Sequence, residues 1–173
     1  LTQRKLIPAL YDLDRQGRLP AGMCVLGVSR TAMSDEAFRE KMHASVKQFS
    51  AGFEPAKWES FARRLYYFAG DGASADMFPG LNVRLAALGE RHAILRGGGQ
   101  PNLLFYLSVA PTLYEAIIAN IGASGLVSEG KRWCSLNAQA MPWQRIIVEK
   151  PFGTDLASTV SLNRALGRVF EEE

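Results

Sequence analysis

Short, continuous apolar runs alternate with longer amphipathic stretches along this chain. Met23–Val28 is an apolar run with a single Gly, and Leu65–Ala69 is a second, rich in aromatics. Leu103–Val109 and Ile146–Val148 complete the set. Runs of this kind predict strands buried on both faces, as in a parallel sheet. The stretches between them carry helical signals. Ser34 is placed to cap a helix whose first turn holds Asp35 and Glu36, the favourable sign there. Phe38, Met42, Val46 and Phe49 then recur at helical spacing. Pro55 opens a short helix carrying Trp58 and Phe61.

Met77, Leu81, Leu85 and Leu88 mark a further helix, with Pro79 limiting where it begins. Another runs from Pro111 to Ile121, and a last one starts at Thr154 and Asp155 with Leu162, Leu166 and Val169 on one face. Leu1–Gln16 is helical too, with Leu6, Leu10 and Leu13 on one face and a start or kink near Pro8. Gly122–Gln144 reads as a long irregular connection.

Strand alternating with helix implies right-handed crossovers and the α/β class, a doubly wound parallel sheet of Rossmann type. In a dinucleotide-binding fold the first helix follows a strand and a Gly-rich turn. Neither precedes Leu1, so the chain is expected to begin just past that turn, with its first strand missing.

Composition adds modest limits. The 173 residues suffice for one domain with a sizeable core, and 47 % apolar with 21 % charged is ordinary for a globular protein. A net charge of +3 suits anionic small molecules. No basic run interleaved with aromatics argues for nucleic acid. No apolar run approaches the roughly 20 residues of a spanning helix, so no membrane partner is expected. Cys24 and Cys134 form no C-x-x-C pair; no metal site is expected, and a reducing, cytoplasmic setting fits.

Candidate chemistry gathers at strand ends. Arg30 lies just past the second strand of such a fold, in Gly27-Val28-Ser29-Arg30-Thr31. An acidic residue at that position holds the ribose hydroxyls of NAD, whereas an Arg pairs with the 2′-phosphate of NADP. The alternative is a solvated loop cation. Lys150, in Glu149-Lys150-Pro151-Phe152-Gly153, ends a strand where ligands bind, and Pro151 holds it extended. Its alternative is an exposed turn lysine. The Lys150–Pro151 bond is also a candidate for cis geometry. Asp71-Gly72 and Ser108–Pro111 fall at the same edge or serve as plain turns. His43 and His92 read as surface or capping residues, Asp12 and Asp14 do not face each other, and Gly97-Gly98-Gly99 is a weak phosphate loop. Trp58, Trp133 and Trp143 read as packing residues.

Three stretches resemble the glucose-6-phosphate dehydrogenase family. Arg145–Gly153 reads RIIVEKPFG, a specific signal of that family. Leu104–Pro111 is similar to its third crevice strand, and Leu1–Leu10, with Lys5 and Pro8, resembles the helix after its Gly-rich turn. With Gly27–Thr31 the resemblance spans nearly the whole chain. It implies oxidation of glucose 6-phosphate at C1 to the lactone, with hydride passing to NADP (in some members also to NAD), in the oxidative pentose phosphate pathway. Arg30 and Thr31 would then hold the 2′-phosphate, and Lys150 would bridge cofactor and substrate. Pro151 would be a hinge, Lys5 would lie near the substrate phosphate or cofactor, and Tyr114 near the cofactor. Asp71 would line the adenosine side, although Gly72 departs from the larger residue usual after it.

The resemblance further implies that 1–173 is a partial dinucleotide-binding domain of a homo-oligomeric enzyme. Its large C-terminal β+α domain, with the catalytic His–Asp pair, would lie beyond Glu173. No catalytic residue is expected in this chain, and the isolated piece is expected to be inactive. Other readings left open are a non-catalytic binding module of the same fold and another NADP-dependent sugar oxidoreductase.

Overall fold

The computed structural model describes residues 1–96, 99–127, 142–153 and 155–170. The chain divides into two compact units, Leu1–Gly70 and Asp71–Glu173.

The first unit opens with one π-helical turn, Thr2–Leu6. The N–H groups of Arg4, Lys5 and Leu6 all point at the Leu1 carbonyl, at 3.1, 2.9 and 3.4 Å. Helix α1 (Ile7–Arg15) follows, with Pro8 in its first turn, where its missing N–H needs no helical partner. Strand β1 (Val25–Ser29) leads to α2 (Asp35–Phe49), α3 (Pro55–Ala62) and β2 (Leu65–Ala69). The capping expected of Ser34 is present, its hydroxyl accepting from the Ala37 N–H at 3.2 Å. Strand β1 starts later than the Met23 expected, because the Met23 N–H closes a turn onto the Pro20 carbonyl.

β1 and β2 pair in parallel, with Gly27 opposite Tyr67. Gly27 is required by packing: a Cβ there would sit 2.9 Å from the Phe38 ring and 3.4 Å from the Tyr67 ring. The core gathers Ile7 and Tyr11 from α1, Phe38, Met42 and Val46 from α2, Trp58 and Phe61 from α3, and Leu65 and Tyr67 from β2. Burying each such side chain contributes about 1.5–3 kcal/mol. His43 departs from its expected surface role. It is half-buried, its ring 5.2 Å from Trp58 and 5.3 Å from Phe53, so the helix face read as polar borders the aromatic cluster. Asp12 and Asp14 serve separate ends, Asp12 accepting from the Ser50 hydroxyl at 2.9 Å and Asp14 pairing with Arg64 at 3.0 Å.

In the second unit a 3-10 turn, Ala75–Met77, leads into α4 (Phe78–Arg91). Then come β3 (Leu103–Leu107), α5 (Tyr114–Ala123), β4 (Gln144–Val148) and α6 (Leu156–Val169). β3 and β4 are again parallel, Leu103 opposite Gln144 and Leu107 opposite Val148. β3 ends two residues before the Val109 expected, and Pro111–Leu113 is a 3-10 turn rather than α-helix. α5 runs through Gly122, read from sequence as the start of a connection. The reason is packing: a Cβ on Gly122 would meet Val169 of α6 at 2.7 Å. Most of that connection, with Trp133 and Cys134, lies outside the described residues, as do Gly97, Gly98 and Thr154.

Among the described strands, burial on both faces, expected of all of them, holds only for most of β2. In the β3–β4 pair one face carries Leu104, 52 % exposed, and Ile147, 40 % exposed, while Leu107 and Gln144 on the other are buried.

Candidate binding site at the strand ends

In the first unit the loop after β1 carries Arg30 and Thr31, both exposed. Its course is fixed from β2. The Tyr67 hydroxyl points at the Thr31 carbonyl at 2.6 Å and the Ser29 carbonyl at 3.2 Å, bracketing Arg30. The Tyr67 N–H donates to the Asp35 carboxylate at 2.8 Å, securing the far end of the same loop at the start of α2. Arg39 donates from Nε to the Leu65 carbonyl at 2.9 Å and lies across the Tyr66 ring at 5.4 Å. Arg30 has no hydrogen bond or ion pair among the described residues, so its guanidinium is available to an anion. Lys5 is exposed in the π-helical turn before α1.

The second unit holds Asp71, Tyr114, Lys150 and Pro151. Asp71 is exposed; its carboxylate accepts from the Ala73 N–H at 3.0 Å and its carbonyl from the Ser74 N–H at 2.9 Å. That is an Asx turn leading toward α4. The Gly72 carbonyl accepts from the Asn120 amide at 3.1 Å.

Lys150 is exposed at the end of β4, and its bond to Pro151 is cis. The residue before it is held twice. The Tyr106 hydroxyl donates to the Glu149 carboxylate, and the buried Tyr114 hydroxyl donates to the Glu149 carbonyl at 3.2 Å. The hydrogen bond to Glu149, aided by desolvation, pushes the Tyr106 phenol above its usual range. Burial and then the Glu149 charge do the same for Tyr114. Both hydroxyls therefore stay protonated donors at neutral pH. Past Pro151, Gly153 has φ +93°, and a Cβ there would meet the Thr159 N–H nitrogen at 2.8 Å. Thr159 donates from its hydroxyl to the Phe152 carbonyl at 2.8 Å, and Asp155 and Ser158 form a capping box at the start of α6. This unit thus presents a lysine on a backbone fastened on both sides.

Sequence reading missed Tyr67 and Tyr106. Their partners lie 36 and 43 residues away, and no local pattern marks such contacts. Cys24 is half-buried, and desolvation raises its thiol, so it is a poor nucleophile.

Parallel strands with intervening helices, and cationic loops at the strand ends, define an α/β dinucleotide-binding domain. Comparison with known proteins specifies it. The profile of the family described as glucose-6-phosphate dehydrogenase, NAD binding domain, matches residues 1–173, and the chain belongs to that family. Glucose-6-phosphate 1-dehydrogenase of Aggregatibacter actinomycetemcomitans is 40 % identical over 172 residues, covering 99 % of this chain and 32 % of that protein. The Chlamydia muridarum protein of the same name is 34 % identical over 175 residues, covering 100 % and 32 %. A crystal structure of glucose-6-phosphate 1-dehydrogenase from Mycobacterium avium superimposes with TM-score 0.76 at 26 % identity, covering 99 % of this chain and 32 % of that one. A glucose-6-phosphate dehydrogenase in complex with its substrate glucose-6-phosphate does so with TM-score 0.79 at 28 % identity, over the same shares. The chain spans about a third of the length of the curated relatives it matches.

Proposed function

We propose that this chain is the cofactor-binding part of an NADP-dependent glucose-6-phosphate dehydrogenase. The observation that carries the NADP reading is Arg30. Its guanidinium is exposed and without an ion pair among the described residues, on a loop fixed from β2. A planar donor fork at this strand end fits a phosphate ester, where a carboxylate would repel it. Thr31 stands beside it as a second contact. Asp71 and Tyr114 would be further cofactor contacts.

Bound NADP supplies the hydride acceptor for C1 of the sugar. Lys150 contributes charge: its ammonium attracts the anionic groups of cofactor and sugar phosphate, and the fastening of Glu149 limits where it can reach. Lys5 would add a second cation toward a phosphate. The base that takes the C1 hydroxyl proton would belong to sequence beyond this chain, and the isolated segment would not turn over. The relatives named for the same enzyme support the substrate.

The reading is tested by Arg30→Ala in the polypeptide extended to the length of its relatives. Loss of one charge-assisted contact weakens NADP by about 1–3 kcal/mol and leaves NAD nearly unaffected. Equal losses for both nucleotides, measured by titration, would exclude a 2′-phosphate role.

A further inference from the structure

We infer that Tyr67 is a positioning residue for cofactor selectivity, acting through the loop that carries Arg30; this rests on the 2′-phosphate reading of Arg30. The loop between β1 and α2 runs from Arg30 to Ser34. A loop cation on a wandering backbone discriminates poorly, because ordering it at the moment of binding offsets the contact it makes. Here one residue of β2 holds the loop from both ends. The Tyr67 N–H reaches the Asp35 carboxylate at 2.8 Å, and the hydroxyl reaches the Thr31 carbonyl at 2.6 Å. The Ser29 carbonyl, 3.2 Å from the same hydroxyl, already accepts from the Gly70 N–H at 2.9 Å. The phenolic proton therefore belongs mainly to Thr31, and the Arg30 backbone is closed between two secured carbonyls.

The sequence makes this geometry possible at Gly27. Without a side chain there, the Tyr67 ring lies against β1 with the Phe38 ring 5.3 Å from it. Tyr67 is only 8 % exposed, so the ring is held by packing and the hydroxyl has little freedom to turn away. A phenylalanine would keep that packing and lose only the bond to the loop. Its effect should fall on the part of the cofactor that Arg30 reads, the 2′-phosphate, and little on the rest.

The test uses the polypeptide extended to the length of its relatives. Dissociation constants for NADP and NAD are measured for the unaltered protein, Tyr67→Phe, Arg30→Ala and the double variant. The expected result is a fall in NADP-over-NAD preference of about three- to tenfold in Tyr67→Phe, the range of one lost hydrogen bond. The double variant should show no further fall beyond Arg30→Ala, because the two act as one unit. If Arg30→Ala lowers the preference and Tyr67→Phe does not, or if Tyr67→Phe weakens both nucleotides equally, the positioning role is wrong and the Arg30 reading stands. If Arg30→Ala leaves the preference unchanged, the 2′-phosphate reading fails and the Tyr67 role falls with it. Should Tyr67→Phe not fold, Tyr67→Met removes the same hydroxyl with a flexible apolar side chain and carries the same outcomes.

Discussion

The loops carrying Arg30 and Lys150 are both fastened by tyrosine hydroxyls, but in different surroundings. In the first unit the fastener is a strand residue buried against Phe38, within a core that joins three helices to β2. In the second, a buried tyrosine holds the Glu149 carbonyl, and a half-buried one holds the Glu149 carboxylate on the sheet face that also exposes Leu104 and Ile147. The first tyrosine hydroxyl meets a backbone carbonyl, from a ring held by apolar packing. In the second unit one of the two hydroxyls meets a side-chain carboxylate, and the Tyr106 phenol is raised by that bond.

Three substitutions sharpen that contrast. Phe61→Ala should have the largest effect. Phe61 is 1 % exposed and meets the Tyr11 ring edge-on at 5.6 Å, so its removal costs about 3–5 kcal/mol. Denaturant unfolding should show this loss; a cost below 1 kcal/mol would mean that the first unit is not held by its aromatic core. Next comes Gly153→Ala. The alanine must adopt φ near +93° with its methyl against the Thr159 backbone, costing about 2–3 kcal/mol. The same unfolding measurement checks it, and a neutral result would show that the turn after Pro151 relaxes freely.

The smallest effect belongs to Tyr106→Phe, at about 1 kcal/mol at neutral pH. Its signature lies in alkali. The folded chain holds the Tyr106 and Tyr114 phenols protonated beyond their usual value of about 10. The unfolded chain then ionises first, so their contribution is complete below that pH and is lost as pH rises through the raised values. Unfolding midpoints followed from neutral pH upward should fall less steeply in Tyr106→Phe than in the unaltered chain. Identical slopes would remove Tyr106 from the alkaline transition.

The elements were legible where one residue dictates local geometry. Ser34 caps α2, Pro55 opens α3, Asp155 caps α6, and the aromatic run Leu65–Ala69 is β2 to the residue. Strand limits at Met23 and Val109 were misread because an apolar run can continue into a turn. The extension of α5 through Gly122 was hidden because glycine there serves close approach to Val169, not chain reversal. The loops bearing Arg30 and Lys150 were found from their place after strands. What fastens them was not, since Tyr67 and Tyr106 read simply as apolar strand residues until the hydroxyl partners are known.

One assay separates these readings: reduction of NADP with glucose 6-phosphate by the polypeptide extended to its relatives' length, with the 173-residue chain as the control. Turnover by the long form and none by the short is the expected result. A long form that folds and binds NADP yet leaves glucose 6-phosphate untouched would contradict it, pointing instead to another sugar substrate or to a binding module without chemistry.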